Sequence, residues 1–464
     1  MNRFKVDGYL FSFMLGTLDL AIFTPVIPNM MQSFSYPIHW FIWILAVQLV
    51  FFPLSLSLYE TWVGLLSYQV VMTLSFCSFV VGSLTMALSS GWIELIGGRV
   101  LQAIGAGGIF PFLYEDMRML VQRRKHKENR LLIGAVGACM VLTPIVATTV
   151  THFLGWRMLF LLGISVASLY FIMAIRIHRK SEESSRIKRS ATPVYLYGVI
   201  VAFLMFTISQ VDFFLDGMGW FAPNVMPFWI MAVGLTVPVI MIERQAEHPF
   251  FEPHLIANWR LWLLYGYAGL SGLIWIGLIL LPGFVVWQLQ LSLQLQSLFF
   301  SMLLMVVLVT LPFVYKLSKS RSYRLITAFG FLLGGIAYAL FAFATLSWQY
   351  VLLFLLLGCA LSFTLLVPIH DVLRNITSSD QMQTSGLTLS LLRGGGAGIG
   401  LILFTQLLSS YGLHQWMQSR VPSYLFVQAQ QHVLLLAAAV SFCGVLLSLL
   451  LPTEDTSVRS NLSN

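Results

Sequence analysis

Three charged side chains sit where charge is expensive. Asp19, Arg99 and Arg393 each lie inside an apolar run long enough to cross a bilayer. A charge at mid-membrane costs about 2.5–3.5 kcal/mol on insertion scales, so each group needs either a partner or a task. Asp19 falls near the middle of the first apolar run, and its carboxyl is the candidate proton-coupling group. The alternative is a carboxylate that ties helices together through hydrogen bonds or an arginine. Arg99 stays protonated, so it cannot carry the proton itself. It either tunes Asp19 or the substrate pocket, or it is a structural cation held by backbone carbonyls. Gln102 follows three residues later and shares its helical face. Arg393 is a candidate second substrate or coupling residue, or a cation snorkelling toward the surface.

Gln48 and Trp43 are candidate pocket-lining groups together with Gln102 and Arg393, and Gln210 and Trp275 are weaker ones. The glycine run after Arg393 lacks the Lys-Ser/Thr ending of a phosphate loop. Gly394 and Gly395 therefore read as positions of close helix packing. Glu94 is expected to face water, and Glu115 and Asp116 to be neutralised by Arg118 and the basic loop after it. His370-Asp371 is a weaker proton-relay candidate at a loop edge. Trp220, Trp287 and Trp348 suit interfacial belts. Cys77, Cys139, Cys359 and Cys443 show no metal-ligand spacing, so neither disulfides nor zinc are expected. No cofactor is implied.

The elements that must position these groups follow from composition. Of 464 residues, 58% are hydrophobic and 9% charged, against about 25% charged in soluble domains. A span needs about 20 mostly apolar residues. Continuous apolar runs favour helices over barrel strands, which alternate. The fold class is an all-α polytopic membrane protein with fourteen spans, near 9–31, 40–58, 65–88, 92–117, 131–153, 156–177, 193–211, 223–242, 261–283, 294–315, 323–344, 348–368, 386–410 and 430–451. The N-terminal apolar stretch reads as a retained first helix, since it lacks a small-residue cleavage site.

Loop charge tests that count. The net charge of +8 does not mark a nucleic-acid partner, because the basic residues cluster between apolar runs. With the N-terminus cytoplasmic, Lys and Arg collect in alternate loops, the largest groups being Arg118 to Arg130 and Arg176 to Arg189. The opposite side keeps only Arg157 and Arg420. The expected organisation is an N-terminal six-helix bundle (1–178), a cytoplasmic linker (179–192), an inserted helix pair (193–242), a C-terminal six-helix bundle (243–451) and a cytoplasmic tail (452–464). Two six-helix halves with a midplane site between them are a common transporter plan.

The order of local motifs resembles the fourteen-span drug:proton antiporter family of the major facilitator superfamily. LDLAIFTPVIP (Leu18 to Pro28) is similar to its first-helix motif, and GRVLQAIGAGGIFP (Gly98 to Pro111) to its Arg-x-x-Gln-Gly motif, with Ala103 at the first glycine. LTPIVATTVTHFLGWRMLFLLGISV resembles the antiporter proline motif around Pro144 and the start of the next helix. HPFFEPHLIANWRL, LLPGFVVWQLQLSLQLQSLFF and SGLTLSLLRGGGAGIGLIL match further family segments. The chain departs from the pattern after span two, where SLYETWVGLLSYQ keeps only the acid Glu60 of the gating motif. Thr143, Ala147 and Thr148 replace family glycines near Pro144.

The resemblance implies a secondary active transporter that exports a small hydrophobic or amphipathic compound by alternating access, coupled to protons through Asp19 and Arg99. Glu60 and Pro144 would serve gating or helix packing. Other readings are a lipid-like metabolite transporter and a non-cycling assembly or sensor protein. No nucleotide motif or nucleophile-base arrangement points to an enzyme. Expected partners are a small-molecule substrate, protons and membrane lipid, with a periplasmic adaptor protein as a further candidate. The expected location is the inner or plasma membrane, with both termini cytoplasmic.

Overall fold

A computed structural model describes residues 22–34, 38–123, 126–177, 191–213, 219–246, 259–274, 276–289, 291–292, 294–318, 322–364, 382–411 and 423–451. Asp19, Trp275, His370 and Asp371 lie outside them. In the described part of the first span a 3₁₀ turn, Thr24–Val26, leads into α1 (Ile27–Phe34). Its prolines explain the break, because Pro28 has no N–H to offer the carbonyl of Thr24. Gln296 supplies a donor instead, its Nε2 lying 3.4 Å from that oxygen.

The chain continues through α2 (Ile38–Leu65), α3 (Tyr68–Leu88), α4 (Trp92–Arg123), α5 (His126–Leu154), α6 (Arg157–Ile177) and α7 (Thr192–Ser209). Next come α8 (Met226–Gly234), α9 (Thr236–Gln245), α10 (Trp259–Ile274), α11 (Ile276–Gln288), α12 (Gln294–Ser318) and α13 (Tyr323–Phe343). The last three are α14 (Ser347–Thr364), α15 (Met382–Ser410) and α16 (Ser423–Leu450). Among the described residues thirteen segments are long and apolar enough to cross a membrane, one at each expected span from the second to the fourteenth.

Two details differ from the sequence expectation. The eighth span is two helices, α8 and α9. Pro238 cannot donate to the carbonyl of Gly234, four residues earlier, and the Thr236 hydroxyl bonds the Val233 carbonyl at 2.6 Å. In addition α2 runs on to Leu65, so Glu60 falls inside a helix and not in the following loop. No proline interrupts it after Pro53, and the connection to α3 shrinks to Leu66 and Ser67. Ser67 then caps α3 by accepting from the Val70 N–H at 3.4 Å.

Burial separates central from peripheral helices. In α2, 89% of the best spanning window is buried, against 11% in α6. Exposed apolar side chains such as Leu88, Ile93, Phe153 and Leu169 form a surface suited to lipid. Helix α4 packs against α2 and α3, α3 against α6, α13 against α14 and α16, and α10 against α15 and α16. Among the described residues the most extensive contacts between the first group of helices and the last are α2 with α15 and α5 with α12, and the 3₁₀ turn of the first span also meets α12. Helix α7 lies against both α2 and α15, across that seam.

Candidate functional site

Helix α4 brings Arg99 into the interior by means of its small residues. A Cβ on Gly105 would overlap the backbone of Phe79 in α3, and one on Gly107 would lie 2.6 Å from the Phe52 carbonyl oxygen in α2. The Ser55 hydroxyl of α2 also donates to the Ile104 carbonyl at 2.6 Å. With three backbones this close, the long side chain one turn or two away has no route to solvent, and Arg99 is 0% exposed. Its Nη1 donates to Gln102 Oε1 at 2.6 Å, and its Nε lies 3.4 Å from the Ile44 carbonyl oxygen. The guanidinium carbon sits 3.9 Å from the centroid of the Phe23 ring, a favourable cation–π arrangement when desolvated. Gln102 passes the network on, donating through Nε2 to Ser83 Oγ at 3.0 Å. Arg99 and Gln102 are thus brought together, and the network ties spans one, two, three and four.

Arg393 occupies a different setting in α15. It is 3% exposed, and its Nε donates to Ser271 Oγ of α10 at 3.0 Å. Nη2 has no hydrogen-bond partner among the described residues. Gly394 and Gly395, next along α15, mark close approaches on two sides. A Cβ on Gly394 would meet the Leu49 carbonyl and Pro53 of α2, and one on Gly395 the hydroxyl of Tyr197 in α7. Tyr197 donates that hydroxyl proton to the Leu391 carbonyl at 2.9 Å.

The remaining candidates are scattered. Gln48 of α2 is 1% exposed, and among the described residues neither its Oε1 nor its Nε2 has a hydrogen-bond partner. It stands four residues from both Ile44 and Phe52, whose carbonyls face Arg99 and Gly107, and so shares the side of α2 turned toward α4. Trp43 packs toward α7, its ring 6.4 Å from that of Phe206. Pro144 is buried within α5, and its carbonyl accepts from the Thr148 hydroxyl at 3.0 Å. Glu94 is exposed and accepts from the Ser90 N–H in the first turn of α4, as an acid at a helix N-terminus does.

Sequence reasoning passed over Phe23, Ser83, Ser271, Tyr197 and Gln296. Phe23 was legible in principle, since it follows Asp19 by one helical turn. Ser271 stands in Gly269-Leu-Ser-Gly272, a small-residue cluster in an apolar run, which signals close packing without naming what the hydroxyl meets.

Comparison with known proteins fits this geometry. The profile of the Major Facilitator Superfamily matches residues 9–401. Multidrug resistance protein 3 of Bacillus subtilis (strain 168) is 21% identical over 258 residues, covering 55% of this chain and 50% of that protein. The multidrug efflux pump SdrM of Staphylococcus aureus (strain N315) is 24% identical over 328 residues, covering 69% of this chain and 71% of the pump. The chain spans about half the length of the first curated relatives it matches. Among solved structures, the nucleoside transporter NupG superposes with a TM-score of 0.59 at 13% identity, over 97% of this chain and 98% of that one.

Proposed function

This chain belongs to the Major Facilitator Superfamily and is a multi-pass membrane transporter, and from that premise we propose that it exports a small hydrophobic or amphipathic compound in exchange for protons. The buried network around Arg99 is the observation that carries this reading. A fully buried guanidinium lies against Phe23 of the first span, and Asp19 precedes Phe23 by four residues. A change of charge at Asp19 would be felt through Arg99 by α2 at Ile44 and by α3 at Ser83. Transport proceeds by alternating access, with segments 1–178 and 243–451 rocking about the α2–α15 and α5–α12 contacts. Segment 193–242 is the inserted pair. Gln48, Gln102 and Arg393 face the substrate, and both termini are cytoplasmic, as the alternation of Lys and Arg supports. The names of the relatives above favour efflux of drug-like compounds.

The test is flux in proteoliposomes holding the purified full chain, with ethidium as probe and an imposed pH gradient. Wild type is expected to accelerate ethidium movement when the gradient is present, and Asp19→Asn to abolish that acceleration. Flux indifferent to both the gradient and Asp19→Asn would sink the proposal.

A further inference from the structure

Arg393 lies eight residues beyond the start of its Ser385–Ser410 spanning segment, about 12 Å along the helix axis at 1.5 Å per residue. Helices α10 and α15 meet there backbone to backbone: a Cβ on Gly272 would land on the Arg393 carbonyl oxygen, and one on Gly396 on that of Gly269. This contact holds Ser271 in register to accept from Nε. A guanidinium has five N–H donors, and Nη2 meets no acceptor among the described residues. No carboxylate among the described residues pairs with it. Tyr267, one turn before Ser271, spends its hydroxyl proton on the Thr364 carbonyl at 3.0 Å and contributes no negative charge.

A desolvated cation with a free donor edge and no counter-charge is a binding site for an anion. Hydrogen bonds between ionised groups are about twice as strong as neutral ones, and the planar fork matches carboxylate, sulfonate and phosphate oxygens. On α15 the residues four before and four after Arg393 are Leu389 and Ala397, both buried, so the site suits a ligand with an apolar body. The site adjoins the seam, since Gly394 is the residue that touches α2. Parting of α2 and α15 would therefore open it.

We infer that Arg393, positioned by Ser271, recognises the acidic head group of an amphipathic anion, and that such anions are one substrate class of this transporter, bound at a site that the ethidium test does not require. The word substrate rests on the transport reading above; the binding site does not. The shared chemistry is an oxyacid group on an apolar tail, whether free in solution or part of a lipid.

The experiment is thermal unfolding of the full chain in phosphatidylcholine nanodiscs, titrated with octane-1-sulfonate and, separately, with octyltrimethylammonium. Ligand that binds the folded state raises the unfolding temperature. Sulfonate should do so in wild type more strongly than the ammonium. Arg393→Gln should weaken the apparent sulfonate affinity by about tenfold or more, without lowering the unfolding temperature of the unliganded protein. If Arg393→Gln fails to fold, Arg393→Lys keeps the charge and should retain part of the sulfonate response. An equal response of wild type to both probes, or an undiminished sulfonate response in Arg393→Gln, overturns the inference. Adding phosphatidylglycerol separates the two sources. Competition with sulfonate that disappears in Arg393→Gln assigns the head group to lipid, and its absence in wild type assigns it to a soluble anion. Failure of the ethidium flux with the sulfonate effect intact removes the transport reading alone, and the converse removes the site alone.

Discussion

Arg99 and Arg393 are both buried guanidiniums inside spanning helices, and they differ in how many spans supply the groups around them. Arg99 is enclosed by an aromatic ring, a glutamine oxygen and a backbone carbonyl from three different spans. Arg393 donates to one serine oxygen, of α10. A cation held by groups from several spans ties helices together, whereas one held by a single serine leaves more of its five donors for a ligand. Identical residue types can therefore serve integrity in one place and recognition in another, and the partners decide which.

The sharpest way to break this contrast is to neutralise each arginine in turn. Arg99→Gln should lower stability by on the order of 3 kcal/mol, through loss of the cation–π contact and of charge-assisted hydrogen bonds. Arg393→Gln should leave the unliganded protein as stable or more so. Chemical or thermal unfolding of the two variants side by side reads the difference, and equal losses would erase the distinction. A smaller effect is expected at the seam beside Arg393. Gly394→Val places carbon against the Leu49 carbonyl and Pro53, an overpacking worth about 1–3 kcal/mol. It should slow ethidium flux more than its stability loss explains, if α2 and α15 move against each other. The smallest effect belongs to Tyr197→Phe, which deletes one hydrogen bond from α7 to α15 at about 1 kcal/mol. Faster flux in that variant would identify α7 as a brake across the seam; unchanged flux would make it passive packing.

Much of the fold was legible because the bilayer constrains it. The expected spans 65–88 and 323–344 correspond to Tyr68–Leu88 and Tyr323–Phe343, since an apolar run of that length has few alternatives to a helix. The end of α2 was not legible, because Glu60 and Thr61 look like loop residues while nothing in that stretch stops a helix before Leu65. The break between α8 and α9 needed the pairing of Gly234 with Pro238 to be noticed inside an apolar run. At the site, Arg99, Gln102 and Arg393 stood out as polar groups in apolar sequence. Trp43 did too, yet its ring lies against Phe206 of α7, a neighbour that periodicity within one helix cannot name.

Sequence alone determined that the chain crosses the membrane many times as helices, where thirteen of them lie, and that Arg99 and Arg393 sit inside them, while the buried Glu243 went unnoticed. These follow from hydrocarbon thickness and the desolvation of charge, both of which act on a residue according to its local run. Only the tertiary structure decided that Phe23, Ile44, Gln102 and Ser83 gather around or behind Arg99, while Arg393 meets Ser271 of α10. Those contacts depend on helices far apart in sequence, whose glycines set how closely the backbones meet.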